Sequence, residues 1–223
     1  MTEMQRVESL MQTAVDLYYK LQMEKGGRVG YWMPSYSGKR IYPLDPRGDD
    51  IDIVDIFHAL SSIARYNGHA DWTWTVGDHS ILMFDHLMAE LGLSQSDDAR
   101  TWSEEHRKLS RTCLLHDATE AYLCDIVRPL KHNPLMSFYR ALEDDWSRMI
   151  SMKYDLIYPL PGIIKKHDEL ALMTERRDIV SGASKAGWTG DDQEAYPTTI
   201  RRVLNGHGVT EGRMHDRWAK CAP

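Results

Sequence analysis

The chain has 223 residues, 42% of them hydrophobic and 27% charged, and a formal net charge of -6. That length gives room for one domain with a full hydrophobic core, and the composition is that of an ordinary globular protein. The acidic balance excludes a surface that coats nucleic acid, because duplex binding needs clustered Lys and Arg to displace counterions. A small phosphorylated ligand, by contrast, needs only a few local cations or a metal. Three cysteines, Cys113, Cys124 and Cys221, form no CxxC pair and so offer neither a disulfide framework nor a thiolate zinc site. The opening "MTEMQRVESLMQ" lacks an apolar signal region, and no run of about 18 apolar residues occurs. The expectation is a cytoplasmic protein, in a bacterial, viral or similar reducing interior, with no membrane or nucleic-acid partner.

In chain order, residues 2–24 carry Met4, Val7, Met11, Ala14, Leu17 or Tyr18, and Leu21 at helical spacing, and "KGGRVG" breaks that helix. The proline- and glycine-rich "YWMPSYSGKRIYPLDPRGDD" reads as a loop with a short hairpin around Gly38. "DIVDIFHALSSIARY" predicts a helix that stops at Asn67-Gly68, where a left-handed residue is easily accommodated. After the extended "HADWTWTV", Gly77-Asp78 stands where a helix cap belongs, and "HSILMFDHLMAELG" runs to Gly92. A polar loop at Ser94–Asp98 leads to a helix over about 101–123 that contains a His-Asp pair near its end. "LMSFYRALEDDWSRMISMKY" repeats Leu135, Phe138 or Tyr139, Leu142, Trp146 and Met149, and Gly162 then precedes "IIKKHDELALMTERRDIV". Periodicity weakens beyond Gly182, and strand-type alternation is scarce throughout. The reading is an all-α bundle in three parts: an N-terminal helix (1–30) packed on a main domain (31–185), then a C-terminal extension of uncertain structure (186–223).

"LLHDATEAYLCDIVRPLK" (Leu114–Lys131) places His116, Asp117, Glu120, Asp125 and Lys131 beside apolar residues. On a helix His116 and Glu120 would share a face, and burying such groups costs several kcal/mol unless partners neutralise them. A divalent cation is one such partner; acids facing water at a helix end are the alternative. His79, followed by "SILM", and Asp168, inside "IIKKHDELALM", stand in similar contexts. Two imidazoles and two carboxylates from three helices form a mixed N/O set suited to Zn, Mn, Fe or Co with positions left open. His86, seven residues after His79, offers a rival pair but shows no acidic partner.

The ordered string "TVGDHS…LLHDATEAYLCD…PLK…HDELAL" resembles the HD-domain metal-dependent phosphohydrolases, in particular the YfbR-like deoxynucleotide hydrolases. The match covers roughly residues 40–180 and departs at Asp78, where relatives usually have Glu or Gln. "GKRIYPLDPRGDDIDIVDIFHALS" and "RYNGH" resemble the N-terminal part of phage and bacterial members, including DatZ-like dATP triphosphohydrolases. The resemblance implies an HD-domain helical bundle with His79, His116, Asp117 and Asp168 holding one divalent metal (Co, Mn, Zn, Fe or Mg). A second metal arriving with the substrate phosphates is a further option.

By the same resemblance Glu120 orients or deprotonates water, Asp125 takes an acid/base or sugar-binding role, and Arg65, His69 and Lys131 meet phosphate. Tyr66 and Asn67 line a nucleoside pocket or else form a helix cap. The expected activity is metal-dependent hydrolysis of deoxynucleotides, with dATP-type triphosphohydrolysis to deoxynucleoside and triphosphate preferred. 5′-Deoxynucleotidase action on a dNMP and a non-catalytic nucleotide-binding scaffold are the alternatives. A nucleotide is the expected small-molecule partner, and a homo-oligomer, dimer or larger, is the expected assembly.

Overall fold

The computed structural model describes residues 2–24, 27–94, 101–188, 194–197, 199–200 and 207–223. The fold is all-α. Among the described residues the helices are α1 (Glu3–Glu24), α2 (Ile53–Leu60), α3 (Val76–Glu90), α4 (Glu104–Leu114), α5 (Glu120–Leu123), α6 (Arg128–Lys131), α7 (Ser137–Tyr154), α8 (Gly162–Ile179), α9 (Gly182–Lys185) and α10 (His207–Cys221). One antiparallel hairpin pairs β1 (Met33–Pro34) with β2 (Arg40–Ile41), and Gly38 supplies its turn at φ +86°. No helix among the described residues is long and apolar enough to cross a membrane.

The core is built around α3, which packs against α4, α8, α10 and α2. Ile56, Phe57 and Leu60 of α2, Ile81, Phe84 and Leu87 of α3, and Trp146 of α7 are almost wholly inaccessible. On α7 the buried stripe is Leu142, Trp146 and Ile150, four residues apart, so one helical face turns inward. Trp146 stacks on Tyr122 at 4.2 Å and donates its indole N–H to the Pro43 carbonyl at 2.8 Å, so a large ring is buried without an orphaned donor. Leu135 lies before α7 and is 48% exposed, so the buried stripe begins two turns later, at Leu142. α1 touches α7 and leaves Leu10, Leu17 and Leu21 exposed.

Three boundaries differ from the sequence expectation, each for a local reason. α2 ends at Leu60 rather than Tyr66, because Ala64 leaves the helix to bridge Thr75; Arg65 N–H bonds the Trp74 carbonyl and Val76 N–H the Ile63 carbonyl. That bridge closes a loop whose residues Tyr66, Asn67 and Gly68 are all left-handed. The cap of α3 is Thr75 and not Gly77-Asp78. Thr75 accepts from Asp78 N–H while the Asp78 carboxylate accepts from the Thr75 N–H, a reciprocal capping box. Third, the helix expected through 101–123 is interrupted: α4 stops at Leu114 and α5 starts at Glu120, leaving His116 and Asp117 in the turn between them. The His116 Nδ1–H donates to the Cys113 carbonyl at 2.9 Å and so takes an acceptor that the continuing helix would need. The loop expected at Ser94–Asp98 falls on residues 95–100, outside the described residues apart from Ser94.

The C-terminal stretch supplies a core element. Met214 and Cys221 of α10 are fully buried, the fully buried Arg111 of α4 donates to the Cys221 carbonyl at 2.6 Å, and Arg217 forks onto Asp85 at 2.9 and 2.7 Å. Thr210 donates to the other oxygen of the Asp78 capping carboxylate at 3.0 Å, so α10 braces the start of α3. Close approach there depends on Gly77, where an added Cβ would lie 3.0 Å from Met214 Sδ, 3.0 Å from Thr210 Cγ2 and 3.3 Å from the Leu60 carbonyl. Gly77→Val should therefore overpack the α3–α10 contact and destabilise the protein by about 1–3 kcal/mol, read as a lowered thermal midpoint.

Candidate metal centre and cleft

α3, the turn after α4, and α8 each deliver ionisable groups to one place. His79 opens α3 and is fully buried; His116 and Asp117 come from the turn, with 3% and 24% of their side chains exposed. One ligand atom from each of His79, His116 and Asp117 lies within 4.8 Å of the others, a group that can hold a metal ion. Asp168, from α8, stands with Oδ1 3.3 Å from His79 Nε2, and its other oxygen receives Arg128 at 2.9 Å. His86, the rival ligand, is elsewhere: its ring stacks on Tyr196 at 3.6 Å.

The donor set fits a cation. His116 Nδ1 faces a carbonyl, which can only accept, so Nδ1 carries the hydrogen and Nε2 presents its lone pair. His79 Nδ1 faces the Glu175 carboxylate at 2.6 Å, which likewise leaves Nε2 as the free end. Both Nε2 atoms are buried and make no aligned hydrogen bond, although carboxylate oxygens stand 3.3 and 3.1 Å away. Buried nitrogens of that kind are costly unless something satisfies them. Outer partners that fix the far side of each imidazole are what a histidine metal ligand requires.

Glu175, two turns beyond Asp168 on α8, anchors this arrangement. It is fully buried and accepts from His79 Nδ1, Tyr66 hydroxyl (2.6 Å), Trp74 Nε1 (2.8 Å) and Arg65 Nε (3.1 Å). Burial alone would raise its carboxyl, but the Arg65 guanidinium and His79 hold it down to about 2. Burial and Arg65 both push against a charged His79, yet Glu175 and Asp168 outweigh them and raise it to about 9. Asp117, despite its burial, is held well below the usual carboxylate range by His116, His79 and Arg65. Glu120 moves the other way. Burial and the neighbouring Asp117 and Asp125 push it well above its ordinary value, and its Oε2 has no hydrogen-bond partner. Burial raises Asp125 too.

Beside this group opens a cleft of about 560 Å³. Arg65, Tyr66, His69, Asp117, Glu120, Asp125, Lys131 and Asp168 all line it, so most of the residues singled out from sequence meet at one cleft, while His79 and His116 lie outside its lining. Lys131 also pairs with Glu143 at 2.5 Å. Asn67 is exposed, in a left-handed conformation, and lies outside the lining. The apolar remainder comes from Ile126, Val127, Pro129, Leu172, Val180 and the half-exposed Trp188.

No family model matches the chain. It is 32% identical over 148 residues to "Uncharacterized protein YfdR" of Escherichia coli (strain K12), an alignment covering 66% of this chain and 72% of the relative. It is 34% identical over 160 residues to "Uncharacterized protein RCAP_rcc00048" of Rhodobacter capsulatus, covering 70% and 76% respectively. The chain belongs to the YfdR family. The names of these YfdR relatives state no activity, so the chemistry has to be read from the residues themselves.

Sequence reasoning left three residues of the YfdR-family site unassigned. Glu175 carried a signal, since Asp168, Leu172 and Glu175 recur at i, i+4 and i+7 and share a face. Arg128, three residues before Lys131, carries no local signal of a role, and it forks onto Asp168 and Glu169, each at 2.9 Å. Trp188 lies where periodicity had faded, and only tertiary structure brings it to the cleft.

Proposed function

We propose that this protein is a divalent-metal-dependent phosphohydrolase of deoxynucleotides. The observation that carries the reading is the His79, His116 and Asp117 group, whose Asp117 lines a cleft that also holds Arg65, Lys131 and the apolar Leu172, Val180 and Trp188. A ligand that joins an anion to a flat, apolar group suits such a mixed lining, and a nucleotide is such a ligand.

His79, His116, Asp117 and Asp168 would hold the cation. When bound, it would polarise a phosphoryl oxygen and lower the pKa of an attacking water. Asp117, Glu120, Asp125 and Asp168 line the cleft together with Arg65, Arg128 and Lys131, so its cations are matched by carboxylates. A divalent cation would add positive charge there and favour the entry of an anion. Arg65, fixed by Glu175 and 3.6 Å from Asp117, offers a rigid planar donor to phosphoryl oxygen. Lys131, paired with Glu143, and His69 also line the cleft. Burial and the neighbouring Asp117 and Asp125 raise the Glu120 carboxyl, the direction in which a general acid is tuned, and its Oε2 has no hydrogen-bond partner among the described residues.

Within this class we favour triphosphohydrolysis of a dATP-type substrate, releasing deoxynucleoside and triphosphate, over monophosphate hydrolysis. Three cationic side chains in the lining, Arg65, Arg128 and Lys131, support a longer phosphate chain. Incubating the protein with each dNTP and dNMP plus Co, Mn, Mg or Zn, and separating products by chromatography, tests both. Intact triphosphate supports the first mode, orthophosphate from a dNMP the second, and no product with any metal leaves a non-catalytic binding scaffold. Glu120→Gln should lower turnover by about 10²–10⁴-fold while metal affinity, read by calorimetric titration, stays within a few-fold of wild type.

A further inference from the structure

Cys124 has φ +69° and ψ +157°, a combination that belongs to glycine and strains any residue with a Cβ. Packing does not explain it, because the Cys124 side chain is a free, exposed thiol. The strained residue sits between the last turn of α5 and Asp125. Had α5 continued as a helix, Asp125 would lie about 140° round the axis from Glu120 and face away from it. The reversal at Cys124 instead brings both carboxylates to the same cleft.

Two hydrogen bonds hold the reversal. The Cys124 N–H donates to the Glu120 carbonyl at 2.9 Å, which closes α5. From α7, the Tyr139 hydroxyl lies 3.0 Å from the Cys124 carbonyl and 3.4 Å from that of Leu123, and donates to this pair. We infer that Tyr139 is a positioning residue: its hydroxyl pins the reversed peptide at Cys124 and thereby aims Asp125 into the cleft beside Glu120. Tyr139 is not among the residues that line the cleft, so its effect on chemistry runs through Asp125. The catalytic consequence rests on the phosphohydrolase reading; the pinning does not.

The strain and the pin give separate signatures. Glycine adopts the Cys124 conformation without penalty, so Cys124→Gly should raise the thermal midpoint and leave turnover within twofold, whereas Cys124→Val should lower the midpoint. Tyr139→Phe removes only the hydroxyl. It should lower kcat about tenfold or more with KM and metal affinity within twofold, and add no further loss in an Asp125→Asn background. The decisive variant is Tyr139→Phe combined with Cys124→Gly: where glycine holds the turn without help, kcat should recover most of the loss, which a general packing defect at Tyr139 would not allow.

Full-chain protein is used throughout, with thermal melts, metal titration by calorimetry and kinetics on the deoxynucleotide that the wild type turns over. Unchanged kcat in Tyr139→Phe, a full additional loss on top of Asp125→Asn, or no rescue by glycine overturns the inference. If the wild type hydrolyses no nucleotide, the functional reading fails separately and the melts decide the pin. A midpoint loss from Tyr139→Phe that is smaller in the Cys124→Gly background supports it, and an equal loss in both backgrounds overturns it.

Discussion

Glu175→Ala should lower the melting temperature by roughly 10 °C, the largest stability effect expected of a single substitution at the site. Glu175 is fully buried and receives four donors, one of them the guanidinium of Arg65. Truncation strands those donors and leaves the buried Arg65 charge with only the more distant Asp117, 3.6 Å away, a change worth about 3–5 kcal/mol. For a chain of this size each kcal/mol moves the midpoint by about 2–4 °C. Glu175→Gln should fall between wild type and Ala, because the amide keeps the volume but loses the charge and presents N–H groups to other donors. The difference between wild type and variant should also depend on pH. With the folded carboxyl at about 2, its contribution is present above the unfolded value and fades as the pH falls from about 4 toward about 2. Melts recorded across that range by circular dichroism check both size and sign. A pH-independent difference would show that packing rather than charge holds the residue in place.

His116→Ala should abolish the metal response. In the wild type, a divalent cation at 100 times its Kd should stabilise the fold by about 2.7 kcal/mol, or roughly 5–10 °C. The variant loses one Nε2 donor of the three-residue group, and the same metal addition should shift its midpoint by little. The metal-free variant should itself melt below the metal-free wild type, since the buried ring and its Nδ1 bond to the Cys113 carbonyl are lost, so the metal-induced shift rather than the absolute midpoint is the readout. Metal content measured after dialysis gives a second readout. Retention of stoichiometric metal by His116→Ala would mean that the cation is held by other groups.

Much of this arrangement is visible in the sequence where the signal is local. Leu142, Trp146 and Ile150 repeat at helical spacing, Gly38 marks a turn, and Gly92 ends α3 with φ +68°; all are short-range consequences of side-chain period or backbone freedom. The break at His116 was hidden because the apolar run through Leu114, Leu115 and Ala118 looks helical, whereas a side-chain bond to the Cys113 carbonyl diverts the chain. α10 escaped for a different reason. Its inward face is Thr210, Met214, Arg217 and Cys221, and two of those four do not count as hydrophobic, so the stripe is faint until Asp78 and Asp85 are seen opposite it. The convergence of His79 with the His116-Asp117 pair followed from the family resemblance and not from spacing. Glu175 stood on the right face of its helix, but nothing local says that four donors from other segments meet it.

His79 is gripped from front and back by one and the same rod: Asp168 and Glu175, two turns apart on α8, touch its opposite nitrogens. The imidazole thereby works as a feeler gauge between α3 and α8. An apolar repacking that slides these helices by a fraction of a turn would loosen both contacts together, and the ability to retain a cation would falter well before the bundle as a whole comes apart.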